Sequence, residues 1–567
     1  MLDLAIDNAR VIDGTGTPAR SCNVGIKDGI LILLGKDRDP AKKRLNAEGL
    51  ILTPGFIDLH THYDAQLSWD PVASPSPLHG VTTVIAGNCG FTLAPCAPDQ
   101  IHYLMRMMAR VEGMSLSALE KGLAWEWDSF SSFLSRLEGR IGPNAGFLVG
   151  HSTIRRLVMG ERASEPEETA GSPSAKDISA MAAVVRTAID EGALGLSTSR
   201  APTHHDGEGR PVPSRLASDQ ELMALCEAAG QAGAKALEII LPGCINGFTE
   251  EEIDLLAKLS RLARCPVNWN VLGVSALNPQ STWRQLAASD EVAQRGGKLI
   301  ALTLPHTMKL RLSFATGTIL DGLPGWSEIF ALAPEQRMRA LSDPATRRRL
   351  DEGAHSPEAG LIGALANWGS LVLEEIHNPE LADLEGLSVA EVAERRGCST
   401  FDALLDVVIA DSLATGIRPP IPEAEADWKL RAQVWRDPRA VIGGSDAGAH
   451  LDVMCGAIYS TALLAEGVRK RHLLSLEEAV RLLSDVPARL YGMKKRGRIE
   501  NGYAADLVLL DPETVGHGRE RTLWDLPSGA PRLYAQATGI EKVFVNGIPI
   551  VENGNFTGEL PGSVLRT

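Results

Sequence analysis

Nowhere is the chain apolar for long enough to cross a bilayer, and no charged stretch near its start leads into a short apolar one. Both absences argue against a membrane or a secreted protein. Cysteine is sparse: the eight residues are scattered without the spacing of a disulfide framework, which suits a reducing compartment. Positive charge is in deficit. A net charge of −15 leaves no basic field to attract nucleic acid or an acidic membrane surface. The short basic runs Arg347-Arg348-Arg349 and Lys494-Lys495-Arg496 read as solvated helix or loop positions. No internal repeat is evident. What remains is expected to be a cytoplasmic protein with a small-molecule partner, with room for a homo-oligomer. Its 44% hydrophobic and 22% charged residues are the balance of a soluble globular chain.

At 567 residues it exceeds one ordinary domain. Residues 1–54 alternate like strands, from Leu4-Ala5-Ile6 and Arg10-Val11-Ile12 to Gly29–Leu34, and residues 491–567 repeat this character. Asn546-Gly547 between apolar runs signals a hairpin. Two β-rich ends around a long middle suggest one small composite domain. Between 55 and 490, apolar strand-like runs alternate with amphipathic helical ones, the pattern of a parallel α/β barrel. Strand candidates are Val81–Ala86, Gly146–Gly150, Ala193–Ser197, Ala236–Leu241, Pro266–Leu272, Leu299–Thr303 and Ala440–Gly443. The excess length between the last two predicts a helical insertion at about 305–420, over the barrel mouth, where it would shape substrate access.

The chemistry centres on Pro54-Gly55-Phe56-Ile57-Asp58-Leu59-His60-Thr61-His62. Side chains alternate along a strand, so His60 and His62 project the same way and can grip one divalent ion. Cys89, in Gly87-Asn88-Cys89-Gly90 after the second strand, can offer a thiolate. Asp446, in Gly444–His450 after the eighth strand, can bind a metal through one oxygen and take a proton from water with the other. A helix-capping Asp in a Gly-rich turn is the plain alternative.

The stretch "PGFIDLHTH" resembles the signature of the amidohydrolase superfamily, and "GVTTVIAGNCG" is similar to its D-aminoacylase, or N-acyl-D-amino-acid deacylase, branch. The resemblance implies a TIM-like (β/α)8 barrel over 55–490 and a small β-sandwich built from 1–54 and 491–567. It also implies Cys89 as a metal ligand in place of a carbamylated lysine, and Asp446 of "GSDAGAH" as the strand-eight aspartate. The implied activity is hydrolysis of a C–N amide bond, as in an N-acyl amino acid. A cyclic amide, carbamate or ester hydrolase and a catalytically silent barrel stay as alternatives. His60, His62, Cys89 and Asp446 would hold Zn2+ or another divalent ion, one per chain. The chain departs from the branch at strands five and six, where Glu238 and Asn268-Trp269-Asn270 stand in place of histidines.

Softer substrate-binding candidates are Tyr63, His151, Arg155, Arg200, His204 and His450. Tyr63 could donate to an oxyanion or pack, and His151 could face the site or a loop. "VGHSTIR", with His151 and Arg155, resembles a recurrent element of the branch. Arg200 could clamp a substrate carboxylate or make a surface ion pair. Of His204 and His205, adjacent in sequence, at most one can point inward. His450 could orient Asp446 or polarise a carbonyl.

Overall fold

The computed structural model describes residues 1–35, 39–166, 171–421 and 423–567, with the side chain of Leu361 left aside. The first of two large sheets is built from both ends of the chain. Strand β1 (Leu2–Val11) pairs antiparallel with β2 (Arg20–Lys27), which pairs with β3 (Ile30–Gly35). On its other edge β1 pairs parallel with β4 (Ala41–Asn46) and β5 (Ile51–Pro54). Strand Leu507–Leu510 then lies antiparallel on β5, and Ile540–Val545, Ile548–Glu552 and Asn555–Phe556 complete the order. The expected hairpin at Asn546-Gly547 is present, with φ of 47° and 82°, the left-handed values a tight primed turn demands.

The second sheet is parallel throughout. It starts with β6 (Phe56–Asp58) and runs in order through β7 (Val81–Ala86), β8 (Asn144–Gly150), β9 (Gly195–Ser199), β10 (Ala236–Ile240), β11 (Val267–Leu272) and β12 (Leu299–Thr303). Gly55 is the joint between the sheets, and a Cβ there would lie 2.0 Å from Thr82 Oγ1. No other residue fits without moving β7. Between β12 and the last strand, the insertion folds around a cluster of its own, with Phe314, Trp326, Trp368 and Phe401 in mutual ring contact. Alongside its helices it carries three short antiparallel strands, β13 (Leu312–Ser313), β14 (Val372–Glu375) and β15 (Gly416–Arg418). The sequence reading had only helices here, because runs of two to four residues are too short for alternation to show.

The parallel sheet ends with β16 (Ala440–Ile442), paired with β12. Strands β6 and β16 stand at opposite ends of the paired order, yet the segments that follow them meet. Asp446 N–H donates to His60 O at 3.1 Å, and His62 N–H to Ala447 O at 2.7 Å. The sheet therefore curls back on itself in the manner of a TIM-like barrel, whose functional groups gather at the carboxyl ends of the strands. Both sides of that seam carry candidate ligands. The strand from Ala193 to Ser197 is found two residues later, at Gly195–Ser199, because Ala193 N–H still donates back to Ala188 O of the Ala175–Asp190 helix.

Candidate metal centre

His60 and His62 lie in the extended segment just past β6, both buried. The seam hydrogen bonds fix that segment, and Thr61 between them anchors its hydroxyl on Ile85 O at 2.9 Å. Their Nε2 atoms face a common space. Cys89 Sγ lies 3.5 Å from His60 Nε2, and Asp446 Oδ1 lies 3.5 Å from His60 Nε2 and 3.1 Å from His62 Nε2. Neither nitrogen of His62 has a hydrogen-bond partner in acceptable geometry despite that proximity, and His60 Nδ1 is also unpartnered.

Cys89 is held from two sides. Its N–H donates to Glu238 Oε2 at 2.7 Å, and the other oxygen of Glu238 accepts from the Asn270 amide. Asn88 bonds through Nδ2 to Thr61 O and Ile85 O, tying the loop after β7 to the His60–His62 segment. Glu238, on the fifth parallel strand, thus orients the cysteine loop. Burial, reinforced by Glu238, Glu112 and Asp446, pushes the Cys89 thiol up, so a thiolate here calls for a cation beside it.

Asp446 and His450 sit in the loop after β16. Cys89, Asp446 and His450 have φ of 58°, 58° and 47°, left-handed values that cost a side-chain-bearing residue about 1–2 kcal/mol each. Gly448 lets this loop pass over His62: a Cβ there would lie 2.5 Å from the His62 carbonyl carbon. Burial pushes the Asp446 carboxyl up, but the His60 and His62 rings outweigh it and hold it well below the usual carboxylate range. Its Oδ2 faces His450 Nε2 at 3.8 Å.

A residue absent from the sequence reading completes the picture. Glu112 caps the C-terminus of the Ile101–Val111 helix, 3% exposed, with Oε2 3.4 Å from His62 Nε2. The only signal for it was an acidic residue continuing the apolar stripe of Leu104, Met105 and Met108. Two overlapping ligand groups result, His60–His62–Cys89 and His62–Glu112–Asp446, each with donor atoms within 4.8 Å of one another. Donors around one zinc ion, at bonds of about 2.0–2.3 Å, stand roughly 3.3–3.7 Å apart in a tetrahedron. The spacings from Cys89 through His60 and Asp446 to His62 lie close to that range, and His62 Nε2, which has no hydrogen-bond partner, is a donor turned toward that common centre. The residues fit a divalent cation.

The group opens on a cavity of about 770 Å³, continuous with solvent. His60, Cys89, Glu112, His204, Asn270, Asp446 and His450 supply its polar lining, and Val111, Ile240, Ile245, Val271, Leu302, Leu304 and Met308 its apolar walls. Of the paired histidines, His204 lines the cavity. Its Nδ1 is 2.9 Å from Ser199 Oγ, and burial lowers its pKa to about 3, leaving a neutral ring. His205 instead bonds to Thr203 O and Arg215 near the surface.

Four expected substrate contacts are placed elsewhere. Tyr63 is buried with its hydroxyl 2.6 Å from Ser76 Oγ. His151 and Arg155 both engage the buried Glu221. Arg200 reaches outward, donating to Asp219 Oδ1 and Ala217 O, each at 2.7 Å. None of the four lines the cavity beside the ligand group. The partners of these residues are distant along the chain and invisible in sequence.

Residues 43–523 match the family described as the amidohydrolase family. N-acyl-D-glutamate deacylase of Alcaligenes xylosoxydans xylosoxydans is 28% identical over 572 residues, covering 100% of this chain and 96% of that one. The D-aminoacylase of the same organism is 25% identical over 573 residues, covering 99% and 97%. Among solved structures, N-acyl-D-glutamate deacylase from Bordetella bronchiseptica, complexed with zinc and a phosphonate inhibitor, is similar with a TM-score of 0.64. It is 23% identical, covers 100% of both chains, and speaks to the fold.

Proposed function

The chain belongs to the amidohydrolase family and is a metal-dependent hydrolase of carbon–nitrogen bonds, and from that premise we propose that it deacylates N-acyl-D-amino acids. The observation that carries the reading is the close donor set of His60, His62, Cys89 and Asp446, of which His60, Cys89 and Asp446 line one largely apolar cavity. The similar relatives named as deacylases of D-glutamate and D-amino acids support the substrate class. No Lys or Arg lines that cavity among the described residues, and Lys309 stands on the adjoining pocket past Met308 and Asp446, so within the cavity itself a neutral, apolar side chain is favoured over a second carboxylate. In the same reading, residues 1–54 and 491–567 form a small composite β-sandwich domain beside the (β/α)8 barrel, with the insertion at about 305–420 over its mouth.

His60, His62, Cys89 and Asp446 would hold one Zn2+ or a similar ion. When bound, such an ion supplies Lewis acidity, polarising a carbonyl and making water a stronger acid. Asp446 presents Oδ1 to the histidines and Oδ2 toward His450, so Oδ2 is the oxygen free to take a proton from the attacking water. Returning that proton to the leaving nitrogen releases carboxylate and free amine. His450 faces the carboxylate's outer oxygen from 3.8 Å, beyond hydrogen-bond reach, and the neutral His204 ring offers a hydrogen bond to the substrate at the cavity wall. A second ion lacks donors at strands five and six: Glu238 is committed to the Cys89 N–H and to Asn270, and amide oxygens bind zinc poorly.

The test is direct. Protein purified without chelators is expected to carry close to one metal per chain, and to hydrolyse N-acetyl-D-leucine faster than its L-enantiomer or N-acetyl-D-glutamate. Turnover of hydantoins or esters with none of N-acyl-D-amino acids would overturn the substrate class. Two tightly held ions per chain would overturn the single-ion reading.

A further inference from the structure

We propose that Glu112 is itself a ligand of the metal ion, a donor supplied by the Ile101–Val111 helix rather than by a barrel strand. The inference rests on the metal-dependent reading above and adds a residue to it. Glu112 is nine-tenths buried or more, and its Oε1 has no hydrogen-bond partner. Its Oε2 lies 3.4 Å from His62 Nε2 and falls with Asp446 and His62 in one group of mutually close donor atoms. That is the spacing of neighbouring donors on one ion, and Glu112 meets it without a hydrogen bond that would explain its position otherwise.

The charge balance points the same way. Glu112 and Asp446 bring two carboxylates into one buried space, and no Lys or Arg forms an ion pair with either among the described residues. Two carboxylates in one space repel when ionised, and beyond the histidines that face them a divalent cation between them supplies the counter-charge.

The backbone keeps Glu112 in place. Its N–H continues the helix by donating to Met108 O, and its carbonyl accepts from His450 N–H at 2.5 Å. Gly113 follows with φ of 58°, where a Cβ would stand 3.1 Å from His450 Nδ1. The helix end and the Asp446–His450 loop are thereby locked together, with buried Leu104, Met107 and Met108 anchoring the helix. Glu112 is delivered by rigid structure, as a ligand must be.

Crystals of the zinc-loaded wild-type protein, with data collected across the zinc absorption edge, test this without altering the residue. A Glu112 carboxylate oxygen at about 2.0–2.2 Å from the anomalous peak is expected. An oxygen more than about 3 Å away, beyond any zinc–oxygen bond, overturns the proposal. In parallel, chelator competition should show Glu112→Gln binding Zn2+ more weakly by well over about 10²-fold, beyond the roughly 10–10²-fold that loss of an outer contact costs. The Co2+-loaded forms of the two proteins should differ in the intensity of their visible absorption. Equal affinity and identical Co2+ spectra overturn the proposal while leaving the metal-dependent function standing. A wild-type chain that takes up no Zn2+ removes the function's metal and this ligand together. Should Glu112→Gln fail to fold, the wild-type crystal decides.

Discussion

Two buried clusters of histidine and carboxylate stand side by side at the carboxyl ends of the parallel strands, and they are built to opposite specifications. In one, His151 Nδ1 is 2.8 Å from Thr198 Oγ1 and its Nε2 is 2.9 Å from Glu221 Oε1. Arg155 pairs with the other oxygen of Glu221 and donates to Ala163 O and Gly171 O. All three side chains are fully enclosed, and none lines the cavity. In the other cluster, His60, His62 and Glu112 keep buried nitrogens and oxygens without partners, Cys89, Asp446 and His450 hold left-handed backbone, and the whole opens on a cavity. Residue type alone does not separate function from structure here. The saturated network uses its donors to hold two helices, His151–Met159 and Asp219–Gln231, to the strand Gly195–Ser199. The unsaturated one keeps its donors for something that is not protein.

The sharpest way to break this contrast is to alter one carboxylate in each cluster. Asp446→Asn removes the proton acceptor at the open site. Turnover is expected to fall by about 10²-fold or more, with the thermal midpoint, followed by circular dichroism, nearly unchanged. Near-normal turnover would show that the open cluster is not where the chemistry happens.

Glu221→Ala should do the reverse. Leaving Arg155 buried without its partner is expected to cost about 3–5 kcal/mol of stability, while the metal content of the surviving folded protein stays at the wild-type level. Loss of metal with an unshifted midpoint would mean the closed cluster is functional after all. The pH dependence sharpens the point. Burial pushes the Glu221 carboxyl up, but His151 and Arg155 outweigh it and hold it below the usual range. A folded-state pKa below the unfolded one contributes stability that is fully present above the ordinary glutamate value of about 4.3 and is lost as pH falls through the folded value. Wild-type and Glu221→Gln midpoints should therefore converge on acidification below about pH 4. A gap that stays constant there would contradict the assignment.

The smallest effect is expected at Arg200, a member of neither cluster. It pairs with Asp219, whose side chain is 60% exposed, and such surface pairs are worth about 0–1 kcal/mol. Arg200→Ala should change KM less than about twofold for an N-acyl amino acid and for its ester alike, given so weak a pair. A selective rise for the free carboxylate would restore Arg200 as a clamp and extend the open site past its present wall.

The local patterns in the chain foretold a good deal. Alternation and β-branched composition located Val81–Ala86 and Leu299–Thr303 at their observed bounds, because a strand buried on both faces must be apolar along its length. The residues of "PGFIDLHTH", "GNCG" and "GSDAGAH" stand close together as candidates because each motif ends a strand, and parallel strands in a curled sheet bring their carboxyl ends to one face. The sequence by itself determined those things: the strands, their direction, and the short motifs at their ends.

What it left open needed contacts across the chain. Arg155 and Glu221 are 66 residues apart, and Cys89 and Glu238 are 149 apart. No period or spacing in the sequence links them, so His151 and Arg155 looked as eligible for the substrate as His204 does. Glu112 carried no motif, since a glutamate after a helix is ordinary until the helix is docked. Only the tertiary structure decided which buried polar atoms found partners and which were left facing a cavity, because hydrogen-bond satisfaction depends on what packs against a group from elements distant along the chain.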